Sequence, residues 1–385
     1  MKKRLLSMLV IGSMAAVLLA GCGSGGSKNA DTNADGGQET AQKTEESNAA
    51  SSETENGAVS SAEPAADTSG MDFGDYTADS PLELKLSHFA GSDTNQLAIL
   101  ANTFAKYVEE DTNGAVKVTV YGGGTLGNDQ ESLDSVIAGT LDCAVNNTPI
   151  MSGYSEGLSV LDLPYLFENY DDIYTFLESD VCQKMKDDFS EKGAYILNLQ
   201  CVGFRNLESS KGFVKTPEDV AGLKIRVTGS DVYVNTWNTW GANALTMPGN
   251  EVLTALQQGT IDACDNTNNT CFADGYQEYA KYISVMEYAT HFNGITMNKA
   301  KFDSLTADLQ NTILASAKRA ADDCTKNLET LNQQNLQDMV DGGAEVSEDV
   351  DKDAFKQASE KIYSDFTSGN AKGVEYYEEI QALLQ

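Results

Sequence analysis

From Leu82 onward the chain alternates between two periodicities. Leu82, Leu84 and Leu86 are separated by charged or polar residues, which predicts a strand with one buried face. After the loop His88-Phe89-Ala90-Gly91-Ser92, the residues Leu97, Leu100, Phe104 and Val108 recur at helical spacing, and Asn113-Gly114 stops the pattern. Val116, Val118 and Val120 return to a period of two. Strand, helix and strand in succession predict a βαβ unit, hence an α/β fold with mostly parallel sheets. Gly122-Gly123-Gly124 lets the chain turn closely after the second strand but lacks dinucleotide or Walker spacing. Further on, Leu223-Lys224-Ile225-Arg226-Val227 alternates as a strand, and a helix is expected from Ser230 to Trp240.

The pattern also repeats itself. Glu131-Ser132-Leu133, ending in Gly139-Thr140-Leu141-Asp142, matches Glu251-Val252-Leu253, ending in Gly259-Thr260-Ile261-Asp262, 120 residues later. Each copy reads as an amphipathic helix, a glycine stop and a short strand with polar tips, Asn146-Asn147 in one and Asp265-Asn266 in the other. Two lobes built alike would turn those tips toward a shared cleft, because ligands of open α/β sheets sit at strand ends. The chain is expected to cross between lobes near Val202 and Gly203 and to return over Ser284–Met297, hinged around Asn293-Gly294. Leu161-Asp162-Leu163-Pro164-Tyr165-Leu166-Phe167 reads as an extended apolar run that packs in the core. Leu305 to Asp341 contains neither glycine nor proline. As one helix it would run about 50 Å, long enough to lie across both lobes. Phe355, Ile362, Phe366 and Tyr376 then read as helices packed on the second lobe.

The first eighty residues read differently. Lys2, Lys3 and Arg4 precede an apolar run from Leu5 to Leu19 that is short for a permanent span, and Leu19-Ala20-Gly21-Cys22 looks like a lipobox. Cleavage there would leave an exported protein anchored to the membrane by lipid on Cys22. Residues 23–80 are rich in small and acidic residues, with twelve acids and two bases, and read as a disordered tether. The remainder divides into lobe I, 81–203 with 292–331, and lobe II, 204–291 with 332–385. Of the net charge of −32, about −25 falls on these lobes. So acidic a surface excludes nucleic acid and anionic lipid as partners and leaves room for one small anion in a focused basic pocket. The seven cysteines lack metal spacing; apart from Cys22 most read as small buried hydrophobes, although Cys264 with Cys271 is a conceivable pair. No metal or cofactor is expected.

Arginine is scarce: Arg4, Arg205, Arg226 and Arg319 are all there are, so two of four fall in one short segment. A guanidinium offers a planar fork of donors that matches a carboxylate. Around these two, Gly203-Phe204-Arg205-Asn206-Leu207, Ser210-Lys211, Thr216-Pro217-Glu218-Asp219-Val220-Ala221-Gly222-Leu223-Lys224-Ile225-Arg226-Val227, Glu251 through Gly259 and Asp262 stand in order. In this the chain resembles the solute-binding proteins of tripartite ATP-independent periplasmic (TRAP) transporters, dicarboxylate-binding (DctP) type, from about Leu84 to Asp341.

The resemblance implies a two-lobe periplasmic-binding-protein-like fold with a long helix spanning both lobes. It also implies capture of a small organic or sugar acid and delivery to a permease of small and large membrane subunits. Arg226 then matches the arginine that grips the ligand carboxylate, Arg205 a second arginine beside it, and Asn266 a polar contact. Asn147, Asp129, His88 and Phe89 match first-lobe contacts, and Tyr288, His291 and Phe292 lie near the return crossing. Asn147 stands where a sialate-binding member has glutamate, Gly229 where it has asparagine and Gly249 where an aromatic ring closes the pocket. The last change would leave room, and hints at a sugar acid or another hydroxylated acid; a C4-dicarboxylate is the alternative ligand. A binding protein for a sensor or an ABC permease fits the same residues. An enzyme using Asp129 or His88 finds no support, since there is no nucleophile elbow, no paired histidines at metal spacing and no clear Ser-His-Asp set.

Overall fold

The structure is a computed structural model, and it describes residue 68 and residues 70–385. The leader, Cys22 and the tether up to residue 67 lie outside the described residues, as does residue 69. Residues 70–80, which the sequence reading places in the tether, belong instead to the folded part. Phe73 and Tyr76 pack on the first lobe's core, the Asp72 amide donates to Asp308 Oδ2 at 2.8 Å, and Thr306 Oγ1 donates to the Asp72 carbonyl at 2.6 Å. Two aromatic rings bury enough area to order a segment that is otherwise small and polar.

Among the described residues nine strands form one sheet: β1 (Leu82–Ser87), β2 (Val116–Tyr121), β3 (Cys143–Asn147), β4 (Ala194–Ser209), β5 (Lys224–Val227), β6 (Asn243–Thr246), β7 (Ala263–Thr267), β8 (Tyr282–Asn298) and β9 (Glu345–Ser347). Their order is β2-β1-β3-β8-β4-β7-β5-β6, with β9 paired to β8. Pairs within each half are parallel, while those that β4 and β8 make with each other and with β3 and β7 are antiparallel. Read outward from the middle, β8-β3-β1-β2 on one side mirrors β4-β7-β5-β6 on the other. The repeat seen in the sequence is therefore real and extends further: β7 and the helix that follows it begin 120 residues after β3 and its helix.

Local chemistry explains the elements around the cleft. Asn95 caps the helix Gln96–Asp111 by accepting from the Leu97 amide at 3.0 Å. The helix Asp129–Ala138 starts with a capping box between Asn128 and Glu131 and stops at Gly139, whose φ of 76° is left-handed. Such caps stabilise a helix start by about 1 kcal/mol each. They fix the first residue of this helix, Asp129, at the mouth of the cleft.

The crossing differs from the expectation in one respect. Rather than two short strands hinged at Gly203 and at Asn293-Gly294, β4 and β8 run unbroken through both halves, with irregular pairing at Ile196/Asn198, Cys201/Gly203 and Arg205/Leu207. Gly203 has φ of 121°, and a Cβ there would meet Asn332 Nδ2 at 2.7 Å, so the bulge requires glycine. Leu161–Phe167 is buried as expected but not extended throughout, since Glu156–Asp162 is a 3₁₀ helix and Tyr165 turns at φ of 59°.

The long helix is two. Ala307–Thr325 packs on β4 and on the helix Gln96–Asp111 in the first half, Leu328–Asp341 packs on the helix Asn268–Asp274 in the second, and Asn327 between them sits at φ of 68°. Absence of glycine and proline did not reveal the break, because asparagine is among the few other residues that tolerate the left-handed region. After it, Asn332 donates to the Val202 carbonyl at 3.0 Å and accepts from the Asn269 amide at 3.0 Å, stitching the second helix to the crossing. The C-terminal helices also divide. Phe355 packs with Trp237, Trp240 and Tyr288 in the second lobe, whereas Ile362, Phe366, Tyr376 and Ile380 join Leu158, Phe176 and Phe189 of the first. The placement of residues 360–385 with lobe II is thus corrected.

Among the described residues no helix is long and apolar enough to cross a membrane. Cys143, Cys182, Cys201, Cys264 and Cys271 are buried free thiols, Cys324 is half-buried, and Cys264 and Cys271 are not joined. Asn327→Val should destabilise the protein by about 1–2 kcal/mol by forcing a branched side chain into the left-handed region, and Asn327→Gly far less; urea unfolding of the two variants checks this.

Candidate functional site

Arg226 emerges near the C-terminal end of β5, a strand flanked by β7 and β6. It is 3% exposed. Its Nε and Nη2 donate to the Met247 carbonyl at 2.9 and 2.6 Å, and Nη1 donates to Thr228 Oγ1 at 3.3 Å. One N–H on each terminal nitrogen is left over, the pair that can clasp both oxygens of a carboxylate. Among the described residues no carboxylate lies within ion-pairing distance of Arg226, whereas Arg205 pairs with Asp265, and Arg319 with Glu110 and Asp111. Burial, and to a smaller degree the neighbouring Arg205, pulls the Arg226 pKa below its ordinary value. The site thus holds a buried positive charge short of a counter-ion.

Arg205 is a different object. It is fully buried, and its donors are spent: Nε on Asp265 Oδ2 at 2.9 Å, Nη2 on the Asp265 carbonyl at 2.6 Å and on Thr228 Oγ1 at 3.5 Å, and Nη1 on His291 Nδ1 at 2.8 Å and Asn266 Oδ1 at 3.4 Å. Burial opposes its charge, but the Asp265 carboxylate and the phenols of Tyr233 and Tyr288 outweigh that and hold its pKa well above the ordinary value. Arg205 therefore stands behind the wall and does not touch the cavity, which corrects its assignment as a ligand contact.

From Arg205 a chain of hydrogen bonds runs to the first lobe. An arginine can only donate, so His291 Nδ1 accepts and the ring's proton sits on Nε2, which donates to Asn147 Oδ1 at 2.9 Å. Burial and the two arginines keep His291 neutral, its pKa well below the ordinary value. With Oδ1 so used, Asn147 turns its amide nitrogen to Asp129 Oδ2 at 2.7 Å, and Asn146 Nδ2 holds Asp129 Oδ1 at 2.7 Å. Burial pushes the Asp129 pKa up to about 7, against the pull of these amides and of Arg226.

Two voids meet at Arg226. An inner one of about 20 Å³ is bounded by Asn95, Asp274, Tyr276, Asn266 and His291, and an outer one of about 190 Å³ by Asn128, Asp129, Ile150 and Pro248. Phe89, Asn147, Arg226, Thr228 and Gly249 border both. Of the residues expected at the site, Arg226, Asn266, Asn147, Asp129 and Phe89 are brought together here. His88 and Tyr288 are not: the His88 ring lies against Gly122, and Tyr288 packs with Trp237 and Trp240 and donates its hydroxyl to Asp265, behind Arg205. Phe292 lies in the first core. Both corrections share a cause, since side chains alternate along a strand and its neighbours and their burial cannot be told from spacing alone.

Sequence reasoning missed Thr228, Tyr276 and the bridge from Asn95 Nδ2 to Asp274, 3.2 Å to each oxygen. Thr228 was within reach, two residues past Arg226 at the strand end; the bridge joins residues 179 apart and carried no local signal. Nor does Gly249 leave room. A Cβ there would come within 2.5 Å of the Phe89 ring, which already fills that space from the opposite lobe. A wider surface groove of about 540 Å³ beside the helices Tyr170–Leu177 and Asp180–Phe189 holds none of these groups, and its Lys318 is bound to Glu178 and Asp322.

This arrangement has relatives. Residues 86–370 match the family model for bacterial extracellular solute-binding proteins, family 7 (DctP). The 2,3-diketo-L-gulonate-binding periplasmic protein YiaO of Escherichia coli is 32% identical over 267 residues, 69% of this chain and 81% of that protein. A TRAP periplasmic solute-binding protein from Chromohalobacter salexigens, solved with bound D-glucuronate, superposes with a TM-score of 0.75 at 28% identity over 78% of this chain and 99% of the other. The sugar acid binding protein DctPAm from Advenella mimigardefordensis, in complex with galactonate, gives 0.74 at 26% identity over 79% and 98%. With three quarters of its length inside the family model, and with the guanidinium that alone among the described residues lacks a carboxylate partner at the seam of two matching lobes, this chain belongs to the DctP family of extracytoplasmic solute-binding proteins.

Proposed function

We propose that the protein captures a small sugar acid by its carboxylate and hands it to a TRAP-type membrane permease. The observation that carries this reading is Arg226, a buried guanidinium with two free donors and no carboxylate partner at the junction of the two voids. A ligand carboxylate would complete its hydrogen bonds and neutralise it in a place from which water is largely excluded. Around that anchor, Thr228, the free amide nitrogen of Asn266 and the carboxylate of Asp129 are suited to hydroxyl groups. The sugar-acid ligands of the relatives above point the same way.

In this mechanism the lobes are 81–203 with 292–331, to which 360–385 are added, and 204–291 with 332–359. They rotate on β4 and β8 near Val202 and His291. Closure brings Phe89 over Gly249 and Asn95 onto Asp274, and the loaded form docks on the small and large permease subunits. Lipid on Cys22 would keep the protein beside them.

Calorimetry with D-glucuronate and galactonate tests the reading. Arg226→Ala should weaken binding by about 2–5 kcal/mol, because truncation leaves a buried carboxylate unpaired, and Arg226→Lys should recover part of the loss. Unchanged affinity in Arg226→Ala would remove the anchor. Affinity should also depend on pH. Asp129 repels the ligand anion when ionised, so binding should strengthen from pH 8 to pH 6, by at most about tenfold per unit for one proton, and Asp129→Asn should flatten the profile. The sign for stability follows. With its folded pKa of about 7 above the ordinary carboxylate value, Asp129 contributes stability at low pH that is lost as pH rises through about 7. The ligand-free protein should thus melt lower at pH 8 than at pH 6, and less so in Asp129→Asn.

A further inference from the structure

Each of the two voids carries one carboxylate of its own. Asp274 borders the inner void, held by Asn95 Nδ2. Asp129 borders the outer one, held by Asn146 and Asn147. Neither is ion-paired with Arg226 among the described residues, yet each lies near enough for the guanidinium to pull its pKa down against burial. Among the described residues Arg226 is the one cation bordering either void, since His291 is neutral.

Resting on the sugar-acid reading, we infer that Asp129 and Asp274 are specificity-determining residues that turn away a second carboxylate, so that the pocket selects hydroxylated monocarboxylates over diacids of equal length. Once a ligand carboxylate occupies the Arg226 fork, the rest of the molecule extends into the outer void of about 190 Å³ beside Asp129, and the inner void of about 20 Å³ beside Asp274 has room for a single small group. A hydroxyl arriving there donates to an aspartate, which as an anion can only accept. A carboxylate arriving there meets like charge in a low-dielectric space, with no cation left to offset it. The Asn95 and Asn147 amides already lean on the two aspartates, and the N–H groups left on Asn147 and Asn266 are neutral dipoles that hydrogen-bond a hydroxyl or a carboxylate alike without cancelling a full negative charge.

Galactonate and galactarate make the matched probes. Both are open six-carbon acids with the same four central hydroxyls, and they differ in whether carbon 6 is an alcohol or a carboxylate. Calorimetry at pH 8, where Asp129 is largely ionised, should show galactonate bound at least about tenfold more tightly by the unaltered protein. Asp129→Asn and Asp274→Asn should each shrink that ratio by about threefold or more, while Asp129→Glu keeps it. The unaltered protein also supplies a test that needs no variant, since its ratio should contract at pH 6 as Asp129 gains a proton. Equal or tighter binding of galactarate, or an unchanged ratio in cooperatively melting Asn variants that still bind galactonate, would overturn the inference and leave the sugar-acid reading intact. Failure to bind galactonate, galactarate or D-glucuronate would count against the sugar-acid reading itself, and this inference would fall with it.

Discussion

Taking a guanidinium out of water without a counter-ion is costly, and the second lobe is arranged around bearing that cost at Arg226. Arg205 is paired with Asp265, and its remaining donors are used on Thr228, His291 and Asn266. Because that pair is closed, it does not compete for an incoming anion and can act as a rigid support for Thr228, Asn266 and His291. Arg226, one strand over, receives only a carbonyl and a hydroxyl. Similar chemistry thus serves two ends: the complete partner set makes scaffold, and the incomplete one leaves donors for the ligand proposed above.

Fold symmetry determines where that incomplete set faces. Each lobe contributes a helix start and a strand end to the cleft, at positions 120 residues apart. The contents of equivalent positions differ. Asp129 opens the first lobe's helix, and Gly249 opens the corresponding turn of the second. At this pair of equivalent positions a carboxylate faces a backbone turn, and the pocket has a head and a tail. The Asn327 break lets one stretch of chain follow both lobes, with separate helices packed on each.

Much of this was legible in the residues. The repeat, the β5 strand carrying Arg226 and the helix beginning at Ser230 could be read because each is a local pattern of apolar spacing and caps. Arginine scarcity singled out Arg226 and Arg205 together but could not divide their roles, since the difference lies in whether Asp265 pairs with one of them across β4 and β7. His88 and Tyr288 were misplaced for a similar reason: a residue next to a cleft in sequence can point into the core. The Asn327 break escaped notice because composition marks glycine and proline but not the occasional left-handed asparagine, and the C-terminal helices were misassigned because amphipathic spacing says that a face is buried without saying on what.

The position of Phe89 over Gly249 has a kinetic corollary. The catching group and its apolar cover ride on different bodies, so no separate flap has to swing away: when the halves part, the guanidinium is uncovered by that same displacement. On the closure proposed above, solute exchange would proceed at the tempo of the rigid-body swing itself, and anything that clamps the halves together, a permease surface included, would also bar the door.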